Sequence, residues 1–456
     1  MTSLAVIDPA SGATLREVRC DDAADVARLA AAARAAQPGW AALPLAERCA
    51  PIARFAETIT ARRETLARTL VADMGKPIAQ ARRELEATVG RIAFFLDRVG
   101  AALAERVVRF EPGLREVVVP EALGTVLHLS AWNYPWFVAV NSVVPALLTG
   151  NAVLYKPSEH AILSGLALVG LLHEAGVPRA VVAAAVGAGA TGQALLDQPV
   201  QGVFFTGSHA TGLKVAEAAA RRLARVQLEL GGKDPVYVCD DADPASAAEA
   251  VADGAFYNNG QSCCAVERVY VHRRIAPAFI DAFVATVDGF RLGDPLDEAT
   301  YLGPLARGPQ LDVLAAQIAD ARAKGGRVLR GGARLDRPGN WFAPTVVVDV
   351  DQRMDLMREE TFGPAIGIMV VDDDAQATAL MDDTRYGLTA GVYSRDEGRA
   401  RRVLGSLRSG SAYWNCCDRV SPRLPWSGRR DSGYGCTLGD EGIAVFTQPR
   451  AWHLRG

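Results

Sequence analysis

From residue 105 onward, short apolar runs alternate with segments of helical character along most of the chain. GTVLHLS, NAVLYKP and GVFFTGS each precede such a segment, and a second series of the same kind starts at DPVYVCD. Strands that alternate with helices form right-handed crossovers and a mostly parallel sheet. The sequence therefore predicts two α/β domains, of which the first, over roughly 1–230, is a nucleotide-binding domain.

Three segments differ from this alternation. Residues 21–110 are rich in helix formers, and Pro38 with the glycine after it is expected to end the first helix. Residues 105–121 have two Val-rich runs around a Pro-Gly pair, which indicates a β-hairpin, and the tail 445–456 indicates a strand. Since an isolated hairpin is only marginally stable, both are expected to join another subunit's sheet in an oligomer.

Charge and cysteine content narrow the range of functions. The 49 Lys and Arg against 52 Asp and Glu give a net charge of −3, so nothing favours nucleic acid or an anionic membrane. No uncharged apolar run is long enough for a membrane-spanning helix, and the N-terminal residues lack a secretory signal. None of the eight cysteines has CxxC spacing, which argues against zinc. We expect a cytoplasmic protein with reduced thiols and no metal.

Two glycine-containing turns between strand and helix are candidate nucleotide contacts. Gly187, Gly189 and Gly192 spell GxGxxG, but the acidic residue of a dinucleotide fingerprint is absent about 20 residues later. An ordinary glycine-rich turn explains this pattern equally well. In the next turn, Gly207 and Ser208 precede a helix whose N-terminus suits a phosphate or a simple cap.

The segment FYNNGQSCCA, over 256–265, contains the candidate nucleophile. A cysteine on a turn at a sheet edge can act as a nucleophile, although most buried cysteines are inert. Glu229 ends an apolar strand and is followed by two glycines, which suits a general base whose pKa is raised by burial. Its alternative role is pairing with an arginine at the end of a strand.

Seven segments, in the same order along the chain, resemble signatures of the aldehyde dehydrogenase superfamily. They are WNYP at 132–135, YKPSE at 155–159, FTGS at 205–208, LELGGK at 228–233, FYNNGQSCCA at 256–265, EETFGP at 359–364 and SGYG at 432–435. The resemblance implies an α/β fold with a Rossmann-type NAD-binding domain, an α/β catalytic domain and a small β oligomerisation arm. The corresponding ranges are 1–103 with 122–230, 231–431, and 104–121 with 432–456.

The resemblance also implies a reaction and its catalytic residues. In that family the cysteine of GQxC is the nucleophile, which points to Cys263 and not Cys264. Glu229 is then the base that activates water, and Asn133 donates to the oxyanion. The implied reaction is oxidation of an aldehyde to the acid through a thiohemiacetal and a thioester, with hydride transferred to NAD.

The cofactor residues follow from the same motifs. The implied contacts are the adenosine ribose for Lys156 and Glu159, the pyrophosphate for Gly207 and Ser208, and the nicotinamide ribose for Glu360, with Phe362 packed nearby. Ser158, Gly189, Gly212 and Leu230 complete the predicted set. A carboxylate beside the ribose would repel a 2′-phosphate, so NAD is expected over NADP, although Lys156 could serve either.

The substrate remains open at this stage, because the chain departs from the family around 414–426. The usual Pro-Phe-Gly-Gly segment is PWSG here, and a cysteine follows SGYG where arginine is common. Tyr134, Phe137, Tyr257 and Trp414 are candidate aromatic walls of the substrate tunnel or ordinary core residues. Arg419 and Arg423 could bind a substrate carboxylate or be surface residues. A neutral aldehyde is the preferred substrate.

Three other functions are weighed against aldehyde oxidation. A coenzyme-A-acylating enzyme of the same fold would pass the acyl group to coenzyme A, which the presence of Glu229 argues against. A thioesterase or amidase would use Cys263 without redox chemistry. A non-catalytic protein would have no need to keep Cys263, Glu229 and Asn133 together. A homodimer or homotetramer is expected.

Overall fold

The computed structural model describes residues 2–456. Its first part contains a hairpin, four helices and a second hairpin, in the order β1 Ser3–Ile7, β2 Thr14–Arg19, α1 Ala23–Ala41, α2 Leu45–Ala61, α3 Arg63–Met74, α4 Ile78–Ala102, β3 Arg106–Glu111 and β4 Leu114–Ala122. Alternating strands and helices follow, namely β5 Thr125–Leu129, α5 Pro135–Leu148, β6 Ala152–Lys156, α6 Ile162–Glu174, β7 Val182–Ala184, α7 Gly189–Leu196, β8 Gly202–Thr206, α8 His209–Ala220 and β9 Arg225–Glu229.

The remainder continues the alternation. It runs through β10 Asp234–Val238, α9 Pro244–Phe256, β11 Val266–His272, α10 Ala276–Asp288, α11 Pro309–Ala323, β12 Arg327–Arg330, β13 Thr345–Val348, α12 Asp355–Arg358, β14 Ala365–Val371, α13 Asp374–Asp382, β15 Thr389–Tyr393, α14 Glu397–Gly405 and β16 Ser411–Trp414. The chain ends with β17 Gly433–Tyr434, α15 Gly439–Ala444 and β18 Thr447–Arg455. The predicted α/β fold class is confirmed by this element order.

Two largely parallel sheets form the framework. The first has six strands in the order β17-β9-β8-β5-β6-β7, and only the short β17 pairs antiparallel. The second has seven strands in the order β12-β13-β14-β11-β10-β15-β16, with β12 antiparallel to β13. Strands β5, β6 and β10 are buried along their whole length, because helices cover both faces of a parallel sheet.

A three-stranded antiparallel sheet, in the order β18-β4-β3, stands apart from these two. Its register runs from Thr447 opposite Ala122 to Arg455 opposite Leu114. The hairpin and the tail therefore supply each other's partner within one chain, so neither needs another subunit for that pairing, and their part in an oligomer stays a prediction. Pairing between distant segments is invisible to local pattern. Strand β3 remains an exposed edge, with Phe110 78% exposed.

Two further expectations about the fold are corrected. Helix α1 continues through Pro38, because the buried Trp40 anchors its last turn by donating from Nε1 to the Leu147 carbonyl at 2.9 Å. Residues 433–434, expected in the arm, pair with β9 of the six-stranded sheet. The domain boundaries stay a prediction.

Within residues 2–456, no helix has the length and apolar character needed to cross a membrane.

Candidate active site

A cavity of about 1330 Å³ opens at the carboxyl ends of β5, β6, β8 and β9. Strand β5 lies between β6 and β8, so the direction of strand succession reverses there. Such a switch point leaves a crevice above the sheet that is typical of ligand sites in open α/β folds. Helices α4 and α5 form another wall, and the loops after α9 and β16 close the cavity from the side of the seven-stranded sheet.

The turn that carries Cys263 is built by left-handed backbone. Asn258 and Asn259 have φ of 54° and 58°, and Gly260 has 69°. Asparagine and glycine tolerate this region best. A side chain at Gly260 would also collide with the Gly363 carbonyl, 2.3 Å from an added methyl group. This turn leaves Cys263 half-buried on the cavity wall and buries the next residue, Cys264.

Asn133 is fixed to the loop that presents Cys263. Its side-chain amide donates to the Gln261 carbonyl at 3.1 Å, and its own carbonyl accepts from Lys76 Nζ at 3.0 Å. Asn258 donates to the same two carbonyls, of Asn133 and Gln261, each at 3.1 Å. The position of Asn133 in the cavity that Cys263 also lines is therefore determined by several hydrogen bonds.

Cys264 differs from Cys263 in its surroundings. Its Sγ donates to Asp418 Oδ1 at 3.0 Å, and Ser262 Oγ donates to the same oxygen at 3.2 Å. A hydrogen bond with Cys263, burial and the charge of Asp418 raise the pKa of Cys264 well above its ordinary value. Cys264 therefore remains a neutral thiol, which leaves Cys263 as the candidate nucleophile of the pair.

Glu229 is a buried carboxyl with one oxygen unused. Its Oε1 accepts from Gln227 Nε2 at 2.8 Å and from Thr437 Oγ1 at 3.0 Å, while the buried Oε2 has no partner. Burial raises the pKa of Glu229 to about 8, although hydrogen bonds from Thr437 and Gln227 act in the opposite direction. Glu229 lines the cavity, and a carboxyl with this pKa can accept a proton near neutral pH.

At the other end of the same opening lies Glu360. Its Oε1 accepts from the Gly232 peptide at 3.1 Å, and burial raises its pKa to about 8. Phe362, two residues on, has φ of 47° and packs edge-on against Trp132 with ring centroids 5.3 Å apart. Both residues line the cavity.

Two residues that sequence reasoning missed hold the loop over 359–364. Glu267 on β11 accepts from the peptides of Thr361 and Phe362 at 2.8 and 3.0 Å. Lys233 pairs with Glu267 at 2.7 Å and also donates to Thr361 Oγ1 at 2.8 Å. Lys233 ends the LELGGK motif, which is the one sequence signal that could have indicated this contact.

The remaining cofactor candidates surround the ends of β6 and β8. Lys156 is buried, its Nζ lies 3.5 Å from Glu159 Oε2, and burial lowers its pKa. Ser158, Gly189, Gly207, Ser208 and Leu230 line the cavity as well. Gly192 packs α7 closely on Lys156, since an added methyl group would lie 3.7 Å from its Cδ.

Four aromatic or cationic groups form a stack on the wall made by α4 and α5, which we call the α4–α5 stack. Lys76 Nζ lies 3.9 Å from the Tyr134 ring centroid, and Tyr134 stacks on Phe137 at 5.6 Å and 13°. Arg91 Cζ then lies 4.0 Å from the centroid of Phe137. Tyr134, Phe137 and Tyr257 all line the cavity, and their role as walls of a substrate tunnel stays a prediction.

Two predicted site residues lie elsewhere. Trp414 is 40% exposed and donates from Nε1 to the Ser394 carbonyl at 2.9 Å, because alternation along β16 turns it away from the cavity. Gly212 does not reach the cavity either, since it packs on Leu230, whose Cδ2 would be 2.5 Å from an added methyl group. Its role in the structure is close packing of α8.

Comparison with known proteins decides the family. The sequence model of the Aldehyde dehydrogenase family matches residues 1–452. The chain belongs to the aldehyde dehydrogenase family. It is 37% identical over 452 residues to a betaine aldehyde dehydrogenase of Cereibacter sphaeroides, covering 98% of this chain and 93% of the relative. It is 35% identical to the peroxisomal aminoaldehyde dehydrogenase 2 of Malus domestica, covering 96% and 90%.

Solved structures agree with this family. The lactaldehyde dehydrogenase of Escherichia coli superposes with a TM-score of 0.97 at 31% identity, covering 100% of this chain and 96% of that one. The sequence-based resemblance to aldehyde dehydrogenases and the prediction of an oxidoreductase are thereby confirmed. The departures noted around 414–426 do not disturb the fold, because Trp426 and Thr437 pair across an isolated β-bridge beside Glu229.

The cavity of this aldehyde dehydrogenase family member fits a dinucleotide. Lys156, Glu159 and Glu360 all line it, and the glycine at 231 lets the Glu360 carboxylate lie where a methyl group would otherwise stand. Backbone amides at the start of α8 suit a phosphate. Within residues 2–456, no group of three or more His, Cys, Asp or Glu is placed to hold a metal ion.

Proposed function

We propose that this protein oxidises an aldehyde to the carboxylic acid, with Cys263 as nucleophile and NAD as hydride acceptor. The observation that carries the proposal is the shared cavity. A half-buried thiol, the fixed amide of Asn133 and the buried carboxyls of Glu229 and Glu360 all line one opening at the switch point of the sheet.

In the first step, the Cys263 thiolate attacks the aldehyde carbon and the carbonyl oxygen becomes an oxyanion. The Asn133 amide and the backbone N–H of Cys263 donate to that oxyanion. Losing one such donor typically costs about 3–4 kcal/mol of transition-state stabilisation. NAD, when bound, supplies the acceptor for the hydride that leaves this carbon. The carbon then forms a thioester with Cys263.

In the second step, Glu229 removes a proton from water. The resulting hydroxide adds to the thioester carbon, the carbon–sulfur bond breaks, and the acid leaves with Cys263 restored as thiolate. The free Oε2 of Glu229 is the acceptor atom, since Oε1 is already bound by Gln227 and Thr437. The pKa of Glu229, about 8, supports this role, because an efficient general base has a pKa near the working pH.

The cofactor assignment to NAD is supported by the pair at the end of β6. Glu159 beside Lys156 can accept from ribose hydroxyls, and its charge would oppose a 2′-phosphate. One of the neighbouring structures is PnpE in complex with nicotinamide adenine dinucleotide. Another neighbour is an NADP-dependent enzyme of Escherichia coli, so the preference in this chain depends on its own residues.

The exposed strand β3 supports a homo-oligomer. Val107, Val108 and Phe110 are 49%, 51% and 78% exposed on the edge of the three-stranded sheet. An exposed apolar edge strand is a template for pairing with another chain. The cytoplasm is the proposed location, since all eight cysteines are free and the reaction needs a reduced Cys263.

The test is NADH formation with a panel of aldehydes. The purified protein is given NAD or NADP with lactaldehyde, betaine aldehyde, butanal, benzaldehyde and succinic semialdehyde, and both NADH and the acid are quantified. We expect equal amounts of NADH and acid without coenzyme A. An absolute requirement for coenzyme A would show an acylating enzyme, and ester cleavage without any NADH from the panel would overturn the proposal.

A further inference from the structure

Arg91 is a buried cation at the end of the α4–α5 stack. Its side chain is 5% exposed, and that remaining surface lies on the wall of the cavity. Burial lowers the pKa of Arg91 to about 10, which still leaves the guanidinium charged at neutral pH. Its Nη1 donates to Asn141 Oδ1 at 2.9 Å on the facing helix α5.

The charge of Arg91 has no counter-ion of its own. Among residues 2–456, no salt bridge includes its guanidinium, whose hydrogen-bond partner is the neutral amide of Asn141. Glu84, the acidic residue nearest on the same helix, forms a buried pair with Lys76 and accepts from the Trp136 peptide at 3.0 Å. The two cations of the stack therefore differ, because Lys76 has Glu84 as a direct partner, whereas Glu84 acts on Arg91 only through its charge at a longer distance, which raises the pKa of Arg91 against the effect of burial.

Other basic groups face the same half of the cavity. Three exposed arginines line it, namely Arg83 on α4 and both Arg419 and Arg423 from the segment after β16. They are close enough to the mouth to attract an anion entering the cavity.

The acidic groups on this side are already engaged. Asp253 accepts from the Tyr301 hydroxyl at 2.5 Å. Asp418 accepts from Ser262 and Cys264, and burial raises its pKa to about 6. The groups on this side that could still bind a ligand charge are therefore mainly the arginines, of which Arg91 is the buried one.

We propose that the aldehyde substrate carries a carboxylate, which Arg91 binds while the aldehyde carbon meets Cys263. This inference rests on the proposed function. A buried charge without a counter-ion is costly, and a bound carboxylate would supply both the charge and the acceptors that guanidinium geometry fits. The substrate class is a semialdehyde of a dicarboxylic acid, and the earlier preference for a neutral aldehyde is replaced.

The same charge disfavours cationic aldehydes. The relatives from Cereibacter sphaeroides are named for betaine aldehyde, which carries a quaternary ammonium group. A positive group placed on the Phe137 wall would be repelled by Arg91, whose Cζ already covers that ring at 4.0 Å. We therefore expect this chain to share its fold and mechanism with these relatives and to differ from them in the charge of the aldehyde that it oxidises.

The first experiment compares three small aldehydes that differ in charge. We expect kcat/KM with NAD to be highest for succinic semialdehyde, about 10-fold lower for butanal, and lowest for betaine aldehyde, since a charge-assisted hydrogen bond contributes about 1.5–3 kcal/mol. Equal or better use of butanal than of succinic semialdehyde overturns the inference and leaves aldehyde oxidation intact. Failure of every aldehyde to yield NADH overturns the proposed function instead.

The second experiment removes the guanidinium. In Arg91→Gln, we expect the ratio of kcat/KM for succinic semialdehyde over butanal to fall about 10–100-fold, mainly through KM for the semialdehyde. Arg91→Lys should retain part of the ratio. Arg34→Gln, at an exposed position of α1 outside the cavity, is the matched control and should keep it.

Folding is checked by thermal unfolding and by NAD binding. If Arg91→Gln does not fold, the substrate ratio of Arg91→Lys and the comparison of the three aldehydes with the wild-type enzyme still test the proposal. A folded Arg91→Gln protein with an unchanged substrate ratio would refute the role of Arg91.

Discussion

Gly231 lies directly against the carboxylate of Glu360. A methyl group on Gly231 would be 2.5 Å from both carboxylate oxygens, and the next peptide, Gly232, donates to Oε1 at 3.1 Å. The conformation of Glu360 that faces the cavity therefore depends on residue 231, more than 100 positions earlier in the sequence, being a glycine.

Gly231→Ala should displace Glu360 and weaken cofactor binding. We expect KM for NAD to rise about 10-fold, the size of one lost hydrogen bond to a charged group. Gly170→Ala is the control, since nothing lies within 4 Å of its added methyl group in α6. That variant should bind NAD normally and be slightly more stable. An unchanged KM in Gly231→Ala would show that Glu360 does not bind the cofactor.

Cys263→Ala should abolish NADH formation and acylation together, because no other sulfur can form the thioester. Cys264→Ala should keep the reaction, since that thiol is buried and its pKa is raised well above the ordinary value. Mass spectrometry of the protein after mixing with aldehyde and NAD detects the acyl adduct. An adduct in Cys263→Ala, or none in Cys264→Ala, would reverse the assignment.

Glu229→Gln should separate the two halves of the reaction. We expect a burst of NADH equal to the enzyme concentration, followed by turnover at least about 100-fold slower, because hydrolysis of the thioester loses its base. Rapid-mixing absorbance measures both phases. Steady-state activity equal to wild type would exclude Glu229 as the base.

The pKa of Glu229 also predicts two pH effects. Only the carboxylate accepts a proton, so hydrolysis of the thioester should accelerate as pH rises through about 8. Stability should change in the other direction. Because the folded pKa is raised above its ordinary value of 4.5, the favourable contribution is full below that value and is lost as pH rises through about 8. The difference in unfolding free energy between wild type and Glu229→Gln, measured with urea, should follow this trend.

Lys233→Met should destabilise the protein by about 3–5 kcal/mol, because it leaves Glu267 as a buried charge without a partner. Lys324→Met is the control, since its pair with Asp320 is at the surface and contributes about 0–1 kcal/mol. Urea unfolding measures both. Equal stability of the two variants would show that the Lys233–Glu267 pair contributes little.

Glu159→Gln should shift cofactor preference toward NADP. Removing the carboxylate removes repulsion of a 2′-phosphate while Lys156, at 3.5 Å, keeps its charge. We expect the ratio of kcat/KM for NADP over NAD to rise about 10-fold. A ratio that stays at the wild-type value would locate the discrimination elsewhere.

The fold was largely predictable because most of its strands can be recognised from short apolar runs in the sequence. Runs such as β5 and β6 are apolar throughout, since both of their faces are buried. What the sequence could not show is pairing at a distance. The C-terminal strand lies beside Leu114–Ala122, and Pro38 is tolerated because Trp40 bonds to a carbonyl of α5.

The residues of the candidate site also differ in how far the sequence predicts them. Cys263, Glu229 and Glu360 lie in contiguous motifs that can be read along the chain. Arg91 and Glu267 do not, because the importance of each comes from what packs against it, namely Phe137 for one and the peptides of the 359–364 loop for the other. Nothing in the sequence of α4 marks Arg91 as a buried residue.

The hydrogen bond from Thr437 to Glu229 has a consequence for biosynthesis. The carboxyl is synthesised 208 residues before the hydroxyl that binds it, and Trp426 and β17 arrive equally late. A nascent chain that has passed Cys263 already holds the thiol, yet Glu229, the proposed base, still lacks the neighbours that orient it. Complete turnover is thus reserved for a polypeptide that has left, or almost left, the ribosome.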